Sequence, residues 1–305
     1  LEQRTFTEDE IYPAASITYM TDWWAETFQL RLGYSETAVR PDLRELTGSS
    51  YIDPITGDLV RGNPGVVPSK VDNIDLRAEW FFGNGDNFTI TLFQKDIEDP
   101  IEFFEVPASD TTIAREILNA DSSEVRGIEI EGLKELAFLG GIFDTMFVQG
   151  NLTLQETELV PGNPNDPDDS GTTQVFCFET ETQGQQVNVV KNNCELSGAS
   201  EYVANFMIGF DSYDSKHTAS LIYNVFGERV FAFGRFGPDA IEQPFESLDL
   251  TYFWYPTDRF TVKAKAQNLL GDTIEIDYRN KTRGRRDRRC WPLAGSHQAN
   301  NRDDQ

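Results

Sequence analysis

NIDLRAEWFFGNGDNFTITLF, residues 73–93, reads as two strands joined by a tight turn. Ile74, Leu76, Ala78 and Trp80 alternate with Asp75, Arg77 and Glu79, and beyond the turn Phe88, Ile90 and Leu92 alternate with Thr89 and Thr91. That period of two belongs to an antiparallel hairpin with one apolar and one polar side. The fold turns on what the apolar side touches, which is either a protein core or lipid.

Working outward, the same alternation marks ten strands, at about 12–20, 26–36, 72–82, 87–95, 123–134, 143–156, 201–211, 216–226, 245–255 and 259–268. Most exceed the usual five or six residues of soluble sheets and approach the ~9 to 11 that a tilted strand needs to cross a bilayer. Short connections (TDWWA, GNGDN, the Gly140-Gly141 region, SYDS, YPTDR) take turns with long ones at 37–71, 96–122, 157–200 and 227–244. Membrane barrels keep short turns at one end and long loops at the other, whereas a soluble sandwich has no reason to.

Aromatic residues crowd the short turns. Trp23 and Trp24 flank the first, Trp80, Phe82 and Phe88 the second, Phe138 and Phe143 the third, Phe210 and Tyr213 the fourth, and Trp254, Tyr255 and Phe260 the fifth. Amphipathic rings favour the headgroup boundary, so these residues are the expected membrane-interface girdle.

The expected lipid face carries Phe28, Leu30, Leu32, Tyr34, Ile128, Ile130, Leu152, Leu154, Phe206, Leu221, Leu250 and Val262 among others. The opposite face carries Gln29, Arg31, Glu129, Glu131, Gln149, Asn151, Asn205, Asp249 and Lys263, which implies a wet lumen or a polar plug. The expected fold class is therefore all-β, an antiparallel transmembrane barrel segment.

Bulk composition agrees. The longest apolar stretches, such as LAFLGGIF at 136–143, are far shorter than the roughly 20 residues of a membrane helix. A net charge of −25 excludes a nucleic-acid binder, because nothing neutralises phosphates. No signal peptide opens LEQRTFTEDEIYP, and the chain reads as an excised piece. From Arg279 onward eight Lys or Arg stand against three Asp, which sets the end of the chain apart.

Several stretches together resemble the C-terminal half of the barrel domain of TonB-dependent receptors of the Gram-negative outer membrane. They are YSETAVRPDLREL at 34–46, GNPGVVPSKVDNIDLRAEWFF at 62–82, LFQKDIEDPIE at 92–102, EVRGIEIEGL at 124–133 and LDLTYFWYPTDRFTVKAKAQNLLGD at 248–272. The resemblance implies ten strands of a 22-stranded barrel whose plug domain is absent here. It also implies energised uptake of a scarce ligand (siderophore, cobalamin or oligosaccharide), with outer-membrane lipid and the energy-coupling protein TonB as partners. A passive porin-like barrel and a secreted β-sandwich carbohydrate-binding module are the alternatives.

Residues 1–280 are assigned to the barrel, and residues 281–305, an Arg-rich segment without alternation, stand in place of the expected final strand. A ten-stranded open sheet leaves unpaired edges that lipid cannot satisfy, so the chain alone is expected not to insert.

Cys177 and Cys194 share the longest loop and are expected to pair, which in the chain-entropy model contributes ~3 kcal/mol. No cofactor is expected, and His217 and His297, the only histidines, each stand alone and suggest no metal site. The acidic runs KDIEDPIEFFE and NPNDPDDS read as a solvated rim, since the Ca²⁺-loop spacing is missing. Glu129 and Glu131 share a face, but no nucleophile elbow, P-loop, dinucleotide fingerprint or HExxH accompanies them, so no enzyme is expected. Ligand contacts, if any, are expected from Arg40 and Arg44 and from the aromatic and basic loop of Arg229, Phe231, Phe233 and Arg235.

Overall fold

Strict alternation forces a strand to choose one medium for each face, and the computed structural model resolves that choice over residues 10–53, 59–109, 112–160, 177–180, 188–191, 194–234 and 239–279. In chain order the strands are β1 (Ala14–Thr21), β2 (Thr27–Val39), β3 (Ser50–Ile52), β4 (Leu59–Arg61), β5 (Ser69–Phe81) and β6 (Asn87–Glu98). There follow β7 (Ile101–Ser109), β8 (Thr112–Asn119), β9 (Ser122–Glu135), β10 (Met146–Val160), β11 (Cys177–Thr180) and β12 (Asn188–Lys191). The last are β13 (Tyr202–Asp211), β14 (His217–Phe226), β15 (Arg229–Gly234), β16 (Asp239–Glu242), β17 (Phe245–Thr257), β18 (Phe260–Ala266) and β19 (Ile276–Arg279).

Ten of these form one antiparallel sheet in the order β1-β2-β5-β6-β9-β10-β13-β14-β17-β18. They are the ten strands expected from alternation, each joined to its sequence neighbour, as in a barrel wall. Register carries the lipid-facing set across the sheet as one band. Leu32 pairs with Leu76, Leu76 with Leu92, Leu92 with Ile128, Ile128 with Leu154 and Leu154 with Tyr202. Large members of the band stand open rather than packed, with Ile17 70 % and Phe260 68 % exposed. No second sheet covers this face among the described residues, which is the arrangement a sandwich would have required.

The short turns are compact. In GNGDN, Gly85 takes φ +92°, a left-handed conformation that costs glycine little. Asp86 ties this turn to the next one: its Oδ1 accepts the Glu135 N–H at 2.8 Å and its Oδ2 takes the Lys134 ammonium. Burial pushes the Asp86 carboxyl up, but the bonds from Lys134, the Glu135 N–H and Asn84 outweigh that and hold it below the ordinary value. The third turn folds as two 3-10 segments, Ala137–Leu139 and Gly141–Thr145.

The long connections are not irregular. Strands within them assemble into a second sheet in the order β19-β16-β15-β7-β8-β4-β3, here termed the cap, and β11 pairs with β12. Two of its joints, β15 with β7 and β4 with β8, are parallel and unite different loops. The cap has a core of its own in which Phe104, Leu118, Val230, Phe233 and Ile241 pack with Leu159, and a smaller cluster of Val60, Val66 and Ile117. Ile276–Arg279 pairs with β16 in the cap, so the chain after β18 rises to the loop end. Residues 281–305 lie outside the described residues.

Candidate functional site

On the face opposite the apolar band, alternation places polar side chains from neighbouring strands side by side. Arg77 sits at their centre: its Nη2 donates to Glu131 Oε2 at 2.7 Å, its Nε to Glu79 Oε1 at 3.0 Å and its Nη1 to Thr91 Oγ1 at 3.3 Å. Arg31 adds a second guanidinium 3.7 Å from Glu79 Oε2. Next to this group Asn205 donates to Asn151 at 2.7 Å. Arg77, Glu79, Glu131, Asn151 and Asn205, together with Gln149, Met207 and Ile222, line a recess of about 340 Å³ toward the short-turn end of the wall.

The lining of this recess carries one guanidinium, Arg77, against two carboxylates, Glu79 and Glu131. Arg31 reaches Glu79 from outside it. The recess offers amide and guanidinium donors and carboxylate acceptors to a polar surface lying against it. The same face is smoothed by rings laid over glycines. A Cβ on Gly127 would meet Phe93 at 2.6 Å, and one on Gly209 would meet Phe147 at 2.2 Å.

The ligand candidates at the loop end are dispersed. Arg40 lies over the Tyr12 ring at 5.8 Å and Arg44 over Tyr51 at 5.9 Å. Arg229 donates to Glu242 at 2.7 Å and covers Phe226 at 4.2 Å, while Phe231 lies under the Arg115 guanidinium at 4.3 Å. Phe233 is 1 % exposed and stacks on Phe104, so it fills the cap core rather than a surface. Arg235 lies outside the described residues. Cys194 is disulfide-bonded, and its backbone bridges to Leu159 on β10; the Cys177 side chain lies outside the described residues.

At the short-turn end Trp23 stacks on Trp24, Trp23 meets Phe28 edge-on, Phe28 meets Trp80, and Trp80 meets Phe88. Phe82 and Phe88 are exposed beside them. Trp254 lies parallel to His217, whose Nδ1 is 2.7 Å from the Tyr252 hydroxyl. Tyr255 differs: it stacks on Phe253, which lies under Lys263 on the polar face. The register shift between Trp254 and Thr257 disturbs simple alternation at that end. Among the described residues no group of three or more His, Cys, Asp or Glu is placed to hold a metal ion, and no helix is long and apolar enough to cross a membrane.

The recess was not foreseen as a site, although its members sit in the alternating runs. Only the cross-strand register brings Arg77, Glu79, Glu131 and Asn151 into one place. Glu102 and Arg115, both buried in the cap, carried no sequence signal beyond an acidic run and a lone basic residue.

A family model described as TonB dependent receptor-like, beta-barrel matches residues 2–269. No curated protein matches significantly. Similar solved structures include a mutant of the ferric enterobactin receptor PfeA of Pseudomonas aeruginosa, at 15 % identity and TM-score 0.49 over 85 % of this chain and 34 % of that one. FpvA of P. aeruginosa bound to heterologous pyoverdines is 14 % identical, with TM-score 0.48 over 86 % of this chain and 29 % of that one. The siderophore receptor PirA of Acinetobacter baumannii is 13 % identical, with TM-score 0.47 over 84 % and 36 %. The chain thus spans about a third of the length of these structures.

Proposed function

The chain belongs to the TonB-dependent receptor β-barrel family, and on that premise we propose that it forms ten consecutive wall strands of a 22-stranded outer-membrane importer. The family consists of transporters and receptors rather than enzymes. In this reading the wall meets outer-membrane lipid, the cap captures a scarce ligand, and TonB energises its passage through a plug outside this chain. The ligand is a siderophore, a cobalamin or an oligosaccharide. The recess on the polar face, with one guanidinium against two carboxylates, suits contact with a polar plug surface better than capture of an anionic ligand. Residues 1–280 supply the wall and cap, residues 281–305 a basic tail, and Cys177 is the partner of Cys194.

One observation carries this reading: a continuous apolar band stands exposed on one face of a ten-stranded sheet whose other face is polar. In water such an area would associate or collapse, and it is stable only where lipid covers it. Among the described residues β1 and β18 pair on one side only, and lipid cannot satisfy their free N–H and C=O groups. Further strands therefore close the wall.

The test is made in whole cells that produce the protein. Single cysteines at Leu152 and Asn151 should divide, the first shielded from a membrane-impermeant thiol reagent and the second labelled once the lumen is opened. Ligand uptake should cease when TonB is removed. Equal labelling at both positions would sink the membrane reading, and uptake that persists without TonB would favour a passive pore.

A further inference from the structure

The glycines inside the wall strands are Gly33, Gly127, Gly132, Gly150 and Gly209. All but Gly33 stand directly opposite a phenylalanine. Phe93 faces Gly127 and Phe88 faces Gly132 where β6 meets β9, and Phe147 faces Gly209 and Phe206 faces Gly150 where β10 meets β13. On the second of these seams the arrangement is crossed, with one ring contributed by each strand. On the polar face the Phe147 ring fills the space that a Cβ on Gly209 would need, and on the apolar face the Phe206 ring comes to 3.5 Å from the Cβ position of Gly150.

Alternation alone cannot set a strand's register, because sliding by two residues returns every side chain to its own face. A hairpin tip can set it. The β6–β9 ladder runs on into β7–β8 without a change of step, from Glu98 opposite Ser122 to Ile101 opposite Asn119. In the same way β14–β17 runs on into β15–β16, from Phe226 opposite Phe245 to Arg229 opposite Glu242. The β10–β13 ladder has no such continuation. It keeps one step from Met146 opposite Phe210 to Leu154 opposite Tyr202, but farther along β10 Leu159 bridges Cys194 where that step would bring it to Ser197, three residues away. Within one seam, β10 thus meets its returning partner in two registers.

We propose that the crossed pairs Phe147/Gly209 and Phe206/Gly150 are the register key of the β10–β13 seam, which makes these four residues positioning residues for the recess. The recess is built across this seam, from Gln149 and Asn151 on β10 and Asn205 and Met207 on β13. The bond from Asn205 to Asn151 lies next to the Phe206/Gly150 pair.

A glycine inside a strand weakens it, and a ring laid over the bare backbone offsets that weakness only when the two stand opposite each other. A slide of two residues would set Phe147 against Met207 or Asp211, and Phe206 against Val148 or Leu152. Both rings would then lose their seats, and Asn151 would lose Asn205. On β6–β9 the equivalent rings add to a register already carried by the hairpin beyond it, whereas on β10–β13 they act where the connection leaves the choice open.

Disulfide trapping in the full protein, assembled in the membranes of producing cells, tests the key. Thr153→Cys is combined in turn with Val203→Cys, which is aligned with it, and with Glu201→Cys or Asn205→Cys, which a slide of two would align. Directly opposed residues, with Cα atoms ~4.5 to 5.5 Å apart, can form the bond, whereas diagonal ones at ~7 to 8 Å cannot. Mass spectrometry of the linked peptides tells these links from any made by Cys177, Cys194 or Cys290. With both rings in place only the link between positions 153 and 203 should form. Phe147→Ala together with Phe206→Ala should raise the slipped links roughly tenfold relative to the aligned one. The exchange of Phe147→Gly with Gly209→Phe keeps a ring opposite a glycine at the same register and should return the aligned link alone. An unchanged pattern in the double alanine variant overturns the key, as do slipped links in the exchanged chain as abundant as in that variant. Should the double alanine variant not assemble, Phe206→Ala alone must raise the slipped links roughly threefold, and failure to do so is equally fatal. These links report strand alignment and not the surrounding medium, which the labelling of Leu152 and Asn151 tests separately.

Discussion

The wall and the cap are built from one chain with one kind of secondary structure, yet they treat their apolar side chains in opposite ways. In the wall, Leu32, Leu76, Leu92 and Leu250 stand exposed in a band, and in the cap Phe104, Phe233, Ile117 and Ile241 are sealed. Among the described residues, the large side chains that are almost fully enclosed belong to the cap or, as Leu159 on β10 does, pack into it. In the membrane reading proposed above, the difference reflects the solvent each region meets. A strand in lipid needs no interior because its surroundings are already apolar, whereas loops in water must make their own.

That contrast breaks most readily at Phe233. Phe233→Ala removes the ring stacked on Phe104 and should cost ~3–5 kcal/mol of cap stability. Limited proteolysis should then cut 227–244 while the heat-modifiable wall survives. Loss of both together would mean that wall and cap are one cooperative unit. Next comes Leu152→Arg, in the band between Ile130 and Ala204, which should cost ~2–4 kcal/mol in urea unfolding from bilayers. Thr153→Arg, one residue away on the polar face, should cost well under ~1 kcal/mol. Similar costs would remove the distinction between the faces.

A smaller effect is expected at the join of wall and cap. The Asn119 amide accepts from the Val67 N–H and donates to the Val67 and Asp99 carbonyls, all at 3.0 Å or less. Asn119→Ala takes these partners from the Val67 N–H and carbonyl, while the Asp99 carbonyl keeps the Ser69 hydroxyl, and should lower cap stability by ~1–3 kcal/mol, seen as faster exchange at Val67. Smallest of all, Arg126→Gln breaks an exposed pair with Glu156 on the outer rim of the wall and should change stability by less than ~1 kcal/mol.

The wall was legible in the sequence because its signal is local. A period of two needs no knowledge of partners, and each wall strand pairs with the next along the chain, so NIDLRAEW and NFTITLF announce both their faces and their neighbour. The cap was not legible for the converse reason. Its strands are mostly short, and β4 and β8, like β7 and β15, meet in parallel across intervening wall strands. No local pattern encodes such a meeting.

Phe233 looked like a ligand-stacking aromatic because burial is invisible without the partner Phe104. Glu102 looked like one more acid in KDIEDPIEFFE. Arg229 looked available until β16 brought Glu242 to it. At the other end Tyr255 shares the polar face with Phe253, two residues before it, while its neighbour Trp254 stays with the apolar band. The recess around Arg77 lay between these cases, with its residues visible and their assembly hidden in the register.

The parallel joints of the cap also bear on its assembly. Phe104 and Phe233 meet across a stretch of chain that contains β9, β10, β13 and β14. Closing so long a stretch is entropically slow beside the hairpin contact of β7 with β8. The β7–β15 joint is therefore expected to form after the local hairpins, so that the last contacts made are those that lock different loops to one another.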